Sequence, residues 1–140
     1  MLQFGLCERI VEEGYLHQDS TAGYATLAEL QLTVLTDTVP LEQGIGFGFR
    51  WTASGFSSRE QVVITYRISH PQITRPDGKT LRGFTEDLPH EAPRGEIETT
   101  DCYFLSERHE LVAGEWELAI VYRGKELVAK RFKVVDGRAR

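Results

Sequence analysis

The sequence predicts an all-β domain, a two-sheet sandwich of about seven antiparallel strands with little helix. Two segments carry the prediction most directly. Trp116, Leu118, Ile120 and Tyr122 alternate with Glu117, Ala119, Val121 and Arg123, and Phe47, Phe49, Trp51 and Ala53 alternate with Gly48, Arg50, Thr52 and Ser54. A period of two belongs to a strand with one buried face. The third observation is punctuation. Clusters of Gly, Pro, Asp and Ser separate such segments, and no repeat, heptad or low-complexity tract interrupts them. With 140 residues and 41% hydrophobic content the chain fits one domain spanning 1–140, and a domain of that size buries about 68–70% of its unfolded surface.

Taken in order, Phe4, Leu6 and Ile10 share a parity that Glu8 interrupts and Val11 breaks, so the first strand carries a bulge or lies at an edge. It ends near Gly14. Tyr15 to Thr26, mixed in polarity, reads as a connection with room for one helical turn. Leu30, Leu32 and Val34 form a second strand, stopped by Asp37, Thr38 and Pro40. In the aromatic third strand Gly46 and Gly48 leave one face bare, which marks a bulge or a sheet crossing, or else the close approach of a backbone or ligand.

Val62, Ile64, Tyr66 and Ile68 form a fourth inward face, and Pro71, which has no ladder donor, lies on an edge or ends regular pairing. Arg75-Pro76-Asp77-Gly78-Lys79 is a turn: Pro76 presets φ, Asp77 caps, and Gly78 supplies positive φ. A return arm from Thr80 to Thr85 then passes into a polar loop, Glu86 to Gly95, stiffened by Pro89 and Pro93. Glu96 to Phe104 is a weaker strand with Ile97 and Cys102 as inward candidates. Ser106 to Leu111 suits a single helical turn capped by Ser106.

The closing hairpin poses a register problem. Gly124-Lys125 has the Gly-X form of a two-residue turn closed by Arg123 and Glu126. That register sets Trp116 opposite Lys133 and turns Phe132 and Val134 to solvent. A slip of one residue reverses a whole face, so burial should override turn preference. The expectation is an odd-length loop, or a bulge between Val128 and Arg131.

Charge and composition narrow the partners. The formal charge is -5, with Lys and Arg scattered singly, so there is no basic stripe for nucleic acid or anionic membrane. No apolar run reaches the ~18 residues of a membrane span, and the first residues lack the pattern of an export signal. A cytoplasmic protein is expected, with Cys7 and Cys102 as reduced thiols and Cys7 as a small core hydrophobe.

Catalytic patterns are weak. The four histidines, His17, His70, His90 and His109, lack zinc-ligand spacing, and the nearest constellation is Glu86, Asp87 and His90 in one stretch, with His70 joining by folding. Ser54-Gly55-Phe56-Ser57 is no nucleophile elbow. Asp101-Cys102 meets His109 only if the fold brings them together. Gly44, Gly46 and Gly48 alternate along a strand and do not open a helix, so they form no phosphate loop. The expectation is therefore no catalytic residue, no cofactor and no metal.

The segment from His70 to Asp87 is chemically more varied. His70, Arg75, Asp77, Arg82, Phe84 and Asp87 combine carboxylate-pairing arginines with an aromatic anchor on a stiff protrusion, a composition suited to contacting another protein.

Phe47-Gly48-Phe49-Arg50-Trp51, Tyr66-Arg67 with His70-Pro71, Arg75-Pro76-Asp77-Gly78, the Phe84 to Pro89 stretch and Gly114-Glu115-Trp116 together resemble a bacterial family, domain of unknown function 3859, across residues 40–135. The resemblance implies a small immunoglobulin-like sandwich and supplies no reaction or ligand. The functional expectation is a non-enzymatic protein-binding or adaptor module acting through a sheet edge or the 70–87 hairpin, as a monomer or weak homodimer. The alternatives are a metal-dependent binder or enzyme around His70, Asp87, His90 and His109, and a homo-oligomeric structural subunit.

Overall fold

Alternating polarity in short segments resolves into two sheets packed face to face. The computed structural model describes residues 3–16 and 24–136, the side chains of 9–16 and 24–29 excepted. Among the described residues the strands are β1 (Gln3–Leu16), β2 (Tyr24–Val34), β3 (Thr38–Pro40), β4 (Gly46–Ser54), β5 (Glu60–Thr74), β6 (Thr80–Ala92), β7 (Glu96–Phe104), β8 (Gly114–Tyr122) and β9 (Lys125–Val135). One sheet has the order β2-β1-β4-β7 and the other β3-β9-β8-β5-β6. The count is thus nine instead of about seven. One pair, β3 with β9, is parallel.

Three segments expected to be irregular are strands. β1 and β2 pair out to Leu16 opposite Tyr24, so the two ends of the connection expected at Tyr15 to Thr26 are strand; residues 17–23, His17 among them, lie outside the described residues. The expected bulge in β1 is present, as register shifts at Leu6/Cys7 and Arg9/Val11. Thr38–Pro40, read as a stop, forms β3 and carries the chain between sheets. The polar loop expected at 86–95 is mostly strand: β6 pairs with β5 as far as Ala92 opposite Glu60. Pro89 is tolerated because β6 is an edge strand, where half of the N–H groups need no ladder partner. Pro71 falls in the register break of β5 between Ser69 and Ile73, as its missing donor requires.

The core is aromatic and joins both sheets. Trp116 of β8 meets Phe47 of β4 edge to face at 5.8 Å and Tyr103 of β7 at 5.3 Å, and Phe47 meets Phe132 of β9 at 5.1 Å. The Trp116 indole donates to the Val112 carbonyl at 3.0 Å. His70 packs 4.8 Å from the same indole, and its Nδ1 donates to the Pro71 carbonyl at 2.6 Å. Burial lowers the His70 pKa, against the pull of that carbonyl.

The terminal hairpin keeps Phe132 and Val134 inside with Trp116, as burial demanded, by a different device. The turn residues are Arg123 and Gly124, both at positive φ, with Tyr122 opposite Lys125. That two-residue turn alone would leave Trp116 opposite Arg131. The extra residue Leu127, between the pairs Val121–Glu126 and Ile120–Val128, restores the parity and puts Trp116 opposite Phe132. The bulge therefore lies nearer the turn than expected. The single helical turn is a 3₁₀ turn, Arg108–Glu110, preceded by Glu107 as cap residue instead of Ser106; the Glu107 N–H donates to the Glu110 carboxylate at 2.9 Å.

Cys7 and Cys102 form a disulfide, which corrects the expectation of two reduced thiols. Cys7 on β1 lies opposite Gly46, and Cys102 on β7 lies opposite Gly48. Opposite residues share a face. The bridge therefore crosses β4 on the side away from Phe47 and Phe49, over the strip the two glycines leave bare. Strands flanking a third in a flat sheet would stand about 9.5 Å apart, whereas the two cysteine Cα atoms are 6.5 Å apart. A side chain at Gly46 would strike the Phe104 ring, and one at Gly48 the Asp101 carbonyl. β4 pairs without a register shift on both sides, so the glycines mark no bulge; they admit the Phe104 ring and the β7 backbone.

The bridge closes a long segment, 95 residues in sequence separation. Reducing it, or replacing both cysteines by serine, should lower unfolding stability by about 2–4 kcal/mol in urea melts. Deleting Leu127 should prevent folding by expelling Phe132, while Leu127→Ala should change stability by less than about 0.5–1 kcal/mol; a folded deletion variant with its tryptophan emission unshifted would contradict this account.

Candidate functional site at the seam between the sheets

β6 is an edge strand of one sheet, whose opposite edge is β3, and β7 is an edge strand of the other, whose opposite edge is β2. Along β6 the half-buried positions are Phe84, Glu86, Leu88 and His90, so two ionisable groups occupy an inward register. Tyr66 of β5 lies directly opposite Glu86. From the other sheet come Trp51 and Asp101, whose registers share the face of Phe49. The Trp51 indole donates to the Asp101 carboxylate at 2.6 Å, and the His90 ring stands edge-on to Trp51 at 6.3 Å.

The electrostatics follow from burial. Desolvation raises the Asp101 pKa; the Trp51 N–H and the nearby His90 oppose it, and Glu86 adds to it. The Tyr66 phenol is pushed well above its ordinary value by burial, then by the charges of Asp101, Tyr103 and Glu86. Its hydroxyl oxygen is buried without a hydrogen-bond partner, and the residue is only 8% exposed. Behind the seam, Tyr103 donates its hydroxyl to the fully buried Glu110. Burial raises the Glu110 pKa, against the bonds from Tyr103 and the Glu107 N–H. Asp101 joins no ion pair among the described residues.

The residues expected to contact a partner divide. Arg75 and Asp77 pair at 3.1 Å at the tip of the β5–β6 hairpin, where the Arg75 carbonyl accepts from the Gly78 N–H at 2.9 Å and Asp77 caps the Lys79 N–H at 3.1 Å. Arg82 is exposed, and Asp87 faces outward and accepts from the Thr65 hydroxyl at 2.7 Å. His70 is buried against Trp116, and Phe84 turns inward to Tyr103 at 6.2 Å. Neither offers a surface anchor.

The histidines of the metal alternative go to separate places: His70 under Trp116, His90 beside Trp51, and His109 on the 3₁₀ turn, with Asp87 on the outer face. Among the described residues no group of three His, Cys, Asp or Glu side chains could hold a metal ion. Asp101, Glu86 and Tyr66 were not singled out from the sequence as a group. The signal was the alternation Phe84, Glu86, Leu88, His90, Ala92, which continues a strand and places a carboxylate and an imidazole on its apolar side.

Two sheets closed around an aromatic core, with an open acidic seam, define an immunoglobulin-like β-sandwich. The chain belongs to the family described as Domain of unknown function (DUF3859), which it matches over residues 2–134. Among solved structures it is similar to an immunoglobulin-like protein from Pseudomonas aeruginosa, with a TM-score of 0.70 and 24% identity, covering 96% of this chain and 92% of that one. A Pseudomonas fluorescens alkylpurine DNA glycosylase bound to DNA matches at a TM-score of 0.44 and 12% identity, over 71% of this chain and 27% of that chain, and carries no argument here. None of the curated proteins matches the chain.

A carboxyl group whose pKa is raised by folding binds its proton more tightly in the native state. It supports stability below the unfolded value, and that support is lost as pH rises through the folded value. Asp101→Asn removes the buried charge and keeps an acceptor for Trp51. Its melting temperature relative to the wild type should therefore climb as the buffer goes from pH 4 to pH 8; a constant difference would show that Asp101 ionises as in water.

Proposed function

We propose that this domain is a non-enzymatic protein-binding module that recruits its partner along the β6 edge and the β5–β6 hairpin. The observation that carries the reading is the 13-residue open edge of β6, next to exposed Arg75-turn, Arg82 and Asp87 groups on the same hairpin. An unpaired strand edge offers a row of backbone donors and acceptors, to which an extended segment of another chain adds with main-chain hydrogen bonds. Side chains beside the edge then select the partner. β6 differs here from the opposite edge of its sheet, where β3 is only three residues long. The ion pairs of Arg67 with Glu117 and Glu126, and of Arg131 with Glu117, cover the outer face of the β9-β8-β5 strands, which makes that face a solvated surface and leaves the edge as the contact. In this reading the protein works as a monomer or a weak homodimer.

Tagged protein recovered from its native host, with quantitative mass spectrometry of what co-purifies, tests this. A partner enriched by the wild type should fall about tenfold or more with Arg82→Glu/Asp87→Lys, whose melting temperature should match the wild type. Arg75→Ala/Asp77→Ala reports separately on the hairpin tip. Equal recovery by the edge variant removes β6 as the interface.

A further inference from the structure

Resting on the β6 reading, we propose that the seam formed by Tyr66, Glu86, Asp101 and Trp51 receives a lysine side chain presented by the extended segment that docks on β6. Three features of the seam converge on this chemistry. Asp101 spends one bond on the Trp51 indole and, among the described residues, has no cation paired with it. Glu86 sits across the strand ladder from Tyr66, bringing a second carboxylate to the same inward register. The Tyr66 hydroxyl is buried without a partner, a costly state that a donor arriving from outside relieves.

An ammonium group carries three N–H donors and no acceptor. It matches the Asp101 carboxylate and the Tyr66 phenol oxygen, both able to accept, with the negative charge of Glu86 beside them. A guanidinium fits less well, because its planar fork calls for a bidentate carboxylate, and Asp101 already takes the Trp51 N–H. Glu86, His90 and Asp101 are only half-buried, so the seam is open to solvent between the two edge strands. A peptide strand running along β6 passes this opening, and alternate side chains of an added strand point inward.

The test uses the full chain with nitrogen-15 labelling and follows the Trp51 indole N–H resonance. The probe is a blocked threonine pentapeptide with one central lysine, compared at equal ionic strength with its norleucine counterpart and with methylammonium chloride. The lysine peptide should give a saturable shift, and the norleucine peptide none. Asp101→Asn should weaken the response at least tenfold. Tyr66→Phe should weaken it several-fold while leaving the melting temperature unchanged or higher, because it removes a polar atom with no partner in the free protein. A lysine peptide that moves nothing, or a Tyr66→Phe variant that binds like the wild type, overturns the proposal. Methylammonium shifting the resonance as strongly as the peptide at equal concentration would assign the seam to free amines and overturn the peptide source. Failure of the β6 reading looks different: the peptide shift persists, and Arg82→Glu/Asp87→Lys leaves partner capture intact.

Discussion

The packing of Trp116 against Phe47 and Tyr103 is the constraint from which most of the structure follows. It is the point where a side chain of one sheet sits among aromatic rings of the other, and all three residues are at least 92% buried. Because side chains alternate along a strand, committing Trp116 inward fixes the facing of the rest of β8 and, through the ladder, of β5 and β9. Phe132 has to join the cluster from β9, and the turn geometry works against it. The extra residue at Leu127 reconciles the two demands, and its side chain goes to solvent. The same cluster explains His70: a ring stacked on the indole and tied to a neighbouring carbonyl is held neutral, a structural histidine.

Much of this was legible because burial writes itself at period two. The inward sets of β4, β5 and β8 were readable from alternation alone, and the need for a parity correction in the final hairpin was derivable from Phe132 and Val134. Where the correction sits was not, because Leu127 is apolar and gives no sign that it is the residue left out of the ladder. β6 was misread beyond Thr85 for a related reason. Its inward positions include Glu86 and His90 and it contains Pro89, so composition resembled a loop although the alternation continued. The candidate seam went unread as a unit because its members come from four strands of two sheets, and sequence gives no view of how edges meet. The disulfide was not legible because two cysteines without an export signal are ordinarily reduced thiols. Two glycines on one face of β4 were the geometric sign that something had to lie over that face.

The interior is not uniformly apolar, and its polar members are of two kinds. Glu110 is buried and satisfied: it accepts from Tyr103 and from the Glu107 backbone, so it fastens the 3₁₀ turn to β7 where the chain approaches β8. The seam groups are less complete, with a phenol lacking a partner and a carboxylate bonded by one indole. A fold that tolerates such groups gives up stability that apolar residues of similar size would supply. Their position between two strand edges, where an incoming chain can reach them, distinguishes them from Glu110.

The sheet order also dictates when the domain can finish folding on the ribosome. β9 lies between β3 and β8, and among the described residues β3 has no strand partner other than β9. Since β9 is the last of these strands to be synthesised, β3 waits for all the others before its pairing exists. The nascent protein can assemble the β8-β5-β6 part of its sheet, but the β3 crossover stays unanchored until β9 is made. Vectorial synthesis therefore cannot complete this sandwich stepwise: its closure waits for β9, a trait of slow-folding topologies rich in non-local contacts.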